Sequence, residues 1–215
     1  MATPLTPTAA WQKLLRGNGR FVSGSPHHPH QDYARRAETA HRQTPFAVIF
    51  GCMDSRVSAE IIFDRGLGDL AVVRTAGHVV DSAVLGSLEF GVTVLGIPLV
   101  VVLGHDNCGA VNATLEAHAS GSMPKGYLRD IVERVSPSML TGRDLGPNPT
   151  PLDGDTLMAE HVRHTVHLIA ERSGPIAEAV VEGRCGLVGV AYRLDQGRVQ
   201  LLESLGIASD DPSPR

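Results

Sequence analysis

Phe46-Ala47-Val48-Ile49-Phe50-Gly51-Cys52-Met53-Asp54-Ser55-Arg56 is the stretch that decides the fold. Its apolar and small residues, bounded by Pro45 and by a polar turn, describe a strand covered on both faces, as a parallel α/β sheet requires. The strand then delivers a thiol, a carboxylate and a guanidinium at alternating positions. In an extended chain residues i, i+2 and i+4 point the same way, so Cys52, Asp54 and Arg56 converge on one spot. A second fully apolar run, Leu99-Val100-Val101-Val102-Leu103-Gly104, leads into His105-Asp106-Asn107-Cys108-Gly109. Both clusters therefore end predicted parallel strands, and open α/β sheets bind their ligands at that edge.

The pattern extends in both directions. Downstream of the first strand, residues 58–63 read as a short helix and 70–74 as a second strand, with Thr75-Ala76-Gly77-His78 as its turn. Asp81 can cap a helix over 82–95, stopped by Gly96 and Pro98. Helices are expected over 108–119, 127–135, 156–172 and 175–182, with a loop over 141–154. Leu187 to Tyr192 is a last core strand, and the turn Asp195-Gln196-Gly197-Arg198 leads to an antiparallel edge over 199–202. Upstream, residues 1–10 read as a loose tail. An amphipathic helix over 9–20 carries Trp11, Leu14 and Leu15 on one face, followed by a loop and a short exposed helix over 32–43. Strands alternate with helices, so the expected architecture is α/β: about four parallel strands plus an antiparallel edge, flanked by helices. The expected division is one domain over 1–215. It has an arm over 11–43, a catalytic α/β core over 44–205 and a second loose tail over 206–215. The arm has little core of its own and is expected to pack on a partner subunit.

Composition narrows the function. A 215-residue chain with 42% hydrophobic and 20% charged residues is an ordinary globular domain. A net charge of −4, with no run of Lys or Arg, gives no electrostatic case for nucleic acid. No apolar stretch approaches the ~20 residues of a membrane span, and residues 1–10 lack a basic segment followed by an apolar one, so no signal peptide is expected. The odd set Cys52, Cys108 and Cys185 argues against a disulfide framework, so a cytoplasmic location is expected.

Cys52, His105 and Cys108 form a soft, tetrahedral-compatible ligand set that suits Zn²⁺ and leaves a fourth position open. Taken alone, these residues leave a redox or nucleophilic thiol as the alternative. Asp54 and Arg56 read either as an ion pair that orders a turn or as a fixed hydrogen-bond acceptor beside a metal.

The motifs settle the choice by resemblance. Cys52-Met53-Asp54-Ser55-Arg56 and Gly104-His105-Asp106-Asn107-Cys108-Gly109 resemble the paired motifs of the β-class carbonic anhydrases. Gly68 to His78 and Gly86 to Phe90 fit the same family, and the similarity runs over about residues 11 to 205. The resemblance implies one zinc per chain on Cys52, His105 and Cys108, and reversible hydration of CO₂ to bicarbonate and a proton. It implies a zinc-bound hydroxide oriented by the Asp54–Arg56 dyad, with Asp54 as a conditional fourth ligand in a closed state. Gln43 and the Gly109 N–H are implied substrate-binding groups, with Ala71 and Ala76 as pocket walls. Relatives often carry an aromatic residue at the position of Ala71. Gln43 corresponds to a residue that the adjoining subunit supplies in some members, which implies a homodimer or homotetramer. Members inhibited by bicarbonate carry a tryptophan at the position of Ile49, with partners at those of Arg74 and Tyr192. With Ile49 there, that inhibition is not expected.

Within the same fold, hydrolases of CS₂ or COS share the zinc motif. A non-catalytic zinc-binding or thiol-sensing module is the rival of a different class, and the Asp54–Arg56 pair argues against it. The remaining histidines have bland readings. His27, His28 and His30 fall in a solvated loop, and His161, His164 and His167 on a mixed surface face of a helix. Cys185 reads as core.

Overall fold

The computed structural model describes residues 5–140 and 152–208. Most of the loop expected over 141–154, and the ends of both expected tails, lie outside the described residues. Five strands form one sheet: β1 (Ala47–Cys52), β2 (Leu70–Thr75), β3 (Leu99–His105), β4 (Gly186–Arg193) and β5 (Arg198–Leu205). Their order is β2-β1-β3-β4-β5. All neighbours are parallel except β4 and β5, which run antiparallel with a register shift at Gly189/Val190. The expected four parallel strands and antiparallel edge are present.

Among the described residues eight α-helices accompany the sheet: α1 (Pro7–Val22), α2 (Tyr33–Thr39), α3 (Ala59–Ile62), α4 (Ser82–Glu89), α5 (Gly109–Ser120), α6 (Leu128–Val135), α7 (Gly154–Arg172) and α8 (Gly174–Val181). Every residue of β1 and β3 is buried, because each strand is covered on both faces. On one face Val48, Phe50, Val100, Val102 and Leu187 meet Val84, Leu88, Met158, Val162 and Ile169 from α4 and α7. On the other, Ile49, Leu99, Val101, Val188 and Tyr192 meet Trp11 and Leu14 of α1 and Ile62 of α3. Alternate residues of one strand thus serve two different cores, as period-two geometry dictates.

The N-terminal arm departs from expectation. Its helix starts at Pro7, with the Thr6 side chain accepting from Ala9 N, so residues 7–10 are ordered helix instead of tail. Proline at the first helical turn loses no hydrogen bond there, which sets the start. Trp11 and Leu14 are fully buried against the chain's own sheet. Asn18 is buried as well. Its amide donates to Ile62 O and Gly197 O, and its Oδ1 accepts from Val199 N. Arg20 pairs with Asp64 at 2.6 Å, and the same carboxylate accepts from His27 N and His28 N. So α1 is an integral layer of this chain, whereas α2 buries no residue and lies against the 67–68 turn through Arg35.

Other boundaries shift for local reasons. The helix expected over 82–95 is α-helical to Glu89 and then a π-turn over Phe90–Val94, where Leu95 N donates to Phe90 O, five residues back. The tail expected over 206–215 is held at its start, since Ile207 packs on the second core. No helix among the described residues is long and apolar enough to cross a membrane.

Candidate metal centre

Register brings the two sequence clusters together. Gly51 pairs with Leu103 and Cys52 with Thr75, so Cys52 at the end of β1 stands beside the end of β3, where His105 lies. Between His105 and Cys108 the chain turns through Asn107, whose φ of 52° lies in the left-handed region that asparagine tolerates. That turn makes Cys108 the N-cap residue of α5. The ligand atoms of Cys52, His105 and Cys108 lie within 4.8 Å of one another, and all three residues are buried.

The donor set fits a metal ion. His105 Nδ1 lies 2.7 Å from Asp106 O; a carbonyl only accepts, so Nδ1 carries the proton and Nε2 presents a lone pair. That Nε2 is buried and has no hydrogen-bond partner among the described residues, which a bound cation would satisfy. Cys52 is held low, at about 4, chiefly by the hydrogen bond that the Cys108 thiol donates to it, with the Asp54 and Gly77 backbone adding to the effect against the opposing cost of burial. Cys108 is pushed up in turn by that bond to Cys52 and by burial. The pair thus favours one thiolate already, an anionic and water-poor pocket ready for a soft cation.

Asp54 and Arg56 meet beside the cluster. Arg56 donates from Nε to Oδ1 at 2.9 Å, from Nη2 to Oδ2 at 2.7 Å, and from its backbone N to Oδ1 at 2.9 Å. This bidentate grip holds the Asp54 carboxyl well below the usual carboxylate range. Its Oδ2 lies 3.9 Å from His105 Nε2. A carboxylate so close to the lone pair of a ligand ring lies within reach of whatever that ring would bind.

The substrate-binding expectations divide. Ala76 opens the turn Ala76–His78, whose Gly77 N donates to Cys52 Sγ at 3.3 Å, so it stands beside the cluster. Gly109 is the first residue of α5, directly after Cys108. Gln43 and Ala71 are not brought to the cluster within one chain. Gln43 is exposed ahead of β1, at the far end of that strand from Cys52. Ala71 pairs with Val48, four register steps from the Cys52–Thr75 pair, or about 13 Å along the strand.

Some neighbours of the centre have roles the motifs did not assign. Arg74 Nε donates to Cys52 O at 2.9 Å and its Nη2 to Asp54 O at 2.5 Å, tying down the turn that carries both residues. A charge inside an otherwise apolar strand was the available signal. Ile49 and Tyr192 are both buried in the second core, while Arg74 is committed to the Cys52 and Asp54 carbonyls. His161 corrects the surface reading. It is 2% exposed and bonds to Ser138 and Gly77 O, while its ring stacks on buried His78 at 4.4 Å between centroids. His30 is also more than solvated loop, since its Nδ1 meets Asp69 at 2.8 Å. Cys185 is core, as read.

Comparison with known proteins agrees with this geometry. The carbonic anhydrase family model matches residues 47–199. Carbonic anhydrase 2 of Mycobacterium tuberculosis is 56% identical over 200 residues, covering 93% of this chain and 95% of that protein. The carbonic anhydrase of Mycolicibacterium smegmatis is 55% identical with the same coverage. Among solved structures, the Coccomyxa β-carbonic anhydrase in complex with acetazolamide superposes with a TM-score of 0.69 at 26% identity, covering 81% of this chain and 79% of that one. The motifs, the sheet and the relatives converge: the chain belongs to the β-class carbonic anhydrase family.

Proposed function

We propose that this chain catalyses CO₂ + H₂O ⇌ HCO₃⁻ + H⁺ with one zinc ion held by Cys52, His105 and Cys108. The observation that carries the reading is the orphaned, buried His105 Nε2 facing two cysteines, with an ionised carboxylate beside it. Zinc in such a site is a Lewis acid that makes water a nucleophile near neutral pH. The residues do the rest. Asp54, kept ionised by Arg56, can only accept a hydrogen bond. It therefore holds the nucleophile's proton and leaves the oxygen lone pair turned toward CO₂. The Gly109 N–H donates to a substrate oxygen, and Ala76 walls the pocket on the Cys52 side. If Arg56 releases it, the same carboxylate can enter the fourth metal position and close the site.

The positions of Gln43 and Ala71 support a homodimer as the smallest working unit, with both residues serving the neighbouring subunit's pocket. Cys52, Cys108 and Cys185 are all free and buried, which suits the cytoplasm. Stopped-flow CO₂ hydration with metal analysis is the test. One zinc per chain and turnover abolished by chelation are expected; stoichiometric zinc with no CO₂ hydration overturns the proposal.

A further inference from the structure

His161 sits on α7, far from the ligands in sequence, yet it reaches one of them through a single residue. Its Nε2 lies 2.9 Å from Gly77 O, so Nε2 must carry the proton and donate. Burial holds the ring neutral, with its pKa pulled down to about 4, so Nδ1 accepts from the Ser138 hydroxyl at 2.8 Å. Gly77 in turn sends its N–H to Cys52 Sγ. The accepting carbonyl and the donating N–H belong to the two peptides that flank the Gly77 Cα, and that Cα is tightly boxed. Gly77 has a φ of 61°, and a Cβ there would come within 2.5 Å of Ala110 Cβ in the first turn of α5. Only glycine fits, and a bare glycine turn is not stiff by itself. The α7 side of this box closes because Gly104 has no side chain; a Cβ there would meet Val162 Cγ2 at 2.4 Å.

We infer that His161 is a positioning residue of the metal centre: it anchors the carbonyl side of Gly77, fixing the glycine turn so that the N–H on the other side of the same Cα stays aimed at the Cys52 sulfur. The inference rests on the zinc site proposed above. An N–H donated to a thiolate stabilises the sulfur lone pair and orients the ligand, as partners behind metal-bound groups generally do.

Cobalt-substituted protein reads the sulfur directly through its thiolate-to-metal charge-transfer band. Losing the hydrogen bond raises the lone-pair energy, so His161→Leu should move the band to longer wavelength. It should also weaken zinc about 10-fold or more in chelator competition. His161→Gln, whose terminal amide can occupy the place of Nε2–H, should restore both, whereas the shorter His161→Asn should not. A folded His161→Leu with the wild-type band and zinc affinity overturns the inference. Should that variant not fold, the Gln and Asn pair decides, and identical band and affinity in both overturns it. A wild-type protein without any thiolate band removes the metal centre itself, which separates that failure from this one.

Discussion

Arg56 gives one carboxylate three hydrogen bonds, yet its own side chain is 53% exposed. An ion pair that open adds at most about 1 kcal/mol to stability, so its value lies in orientation. Arg56→Ala is therefore expected to keep its fold and its zinc while turnover falls about 10–100-fold. Stopped-flow rates, zinc content and a denaturation curve on one sample check this, and a large stability loss would count against it. Cys108→Ser differs, because a hydroxyl is a poor substitute for a thiolate on zinc. Metal and activity should vanish together, and a Cys108→Ser protein retaining both would break the ligand assignment. These residues were legible in the sequence because each cluster is contiguous and ends an apolar strand. His161 was not. Its neighbours on α7 look mixed, and what buries it is the Ser136–Met139 turn and Gly77, 84 residues away.

At the scale of elements, α1 is where sequence and structure part. Trp11, Leu14 and Leu15 are too few to advertise a core, but the other helix that contributes to the sheet's second face among the described residues is the single turn of α3. Trp11→Ala should cost about 3–5 kcal/mol in chemical denaturation. Removing residues 1–34 should unfold the chain instead of merely loosening an assembly; a truncated protein with native circular dichroism and a cooperative melt would refute this. The packing of α7 against the Ala76–His78 turn brings a pH dependence. Burial lowers both His161, to about 4, and His78, well below its ordinary value. The folded rings bind protons more weakly than the unfolded ones, so stability is complete above about pH 6.5 and is lost as pH falls toward 4. The loss attributable to His161 should be on the order of 3 kcal/mol by pH 4. His161→Gln should flatten that slope in denaturation curves taken from pH 7 to 4. An unchanged slope would mean the ring is not buried neutral.

The whole molecule leaves two of its expected pocket residues unemployed within one chain. The sequence could place Gln43 before a strand, but a linear reading cannot say which end of the sheet a residue faces. The register does: Gln43 precedes β1 and Ala71 pairs with Val48, while the ligands stand at the opposite edge. The arm helix α2 buries no residue within its own chain. If Gln43 works across a two-fold interface, two damaged chains should complement each other. Gln43→Ala alone should turn over poorly with full zinc, and Cys108→Ser alone not at all. A mixed dimer has one metal-bearing pocket, on the Gln43→Ala chain, and the Gln43 that reaches it comes from the Cys108→Ser chain. Random equimolar mixing by co-refolding makes about half the dimers mixed, each with one intact pocket, so about a quarter of wild-type activity per chain should return. If Gln43 serves its own chain, mixing restores nothing, because no chain then carries both zinc and its glutamine. Activity that stays at the average of the two parents would therefore confine the site to a single subunit.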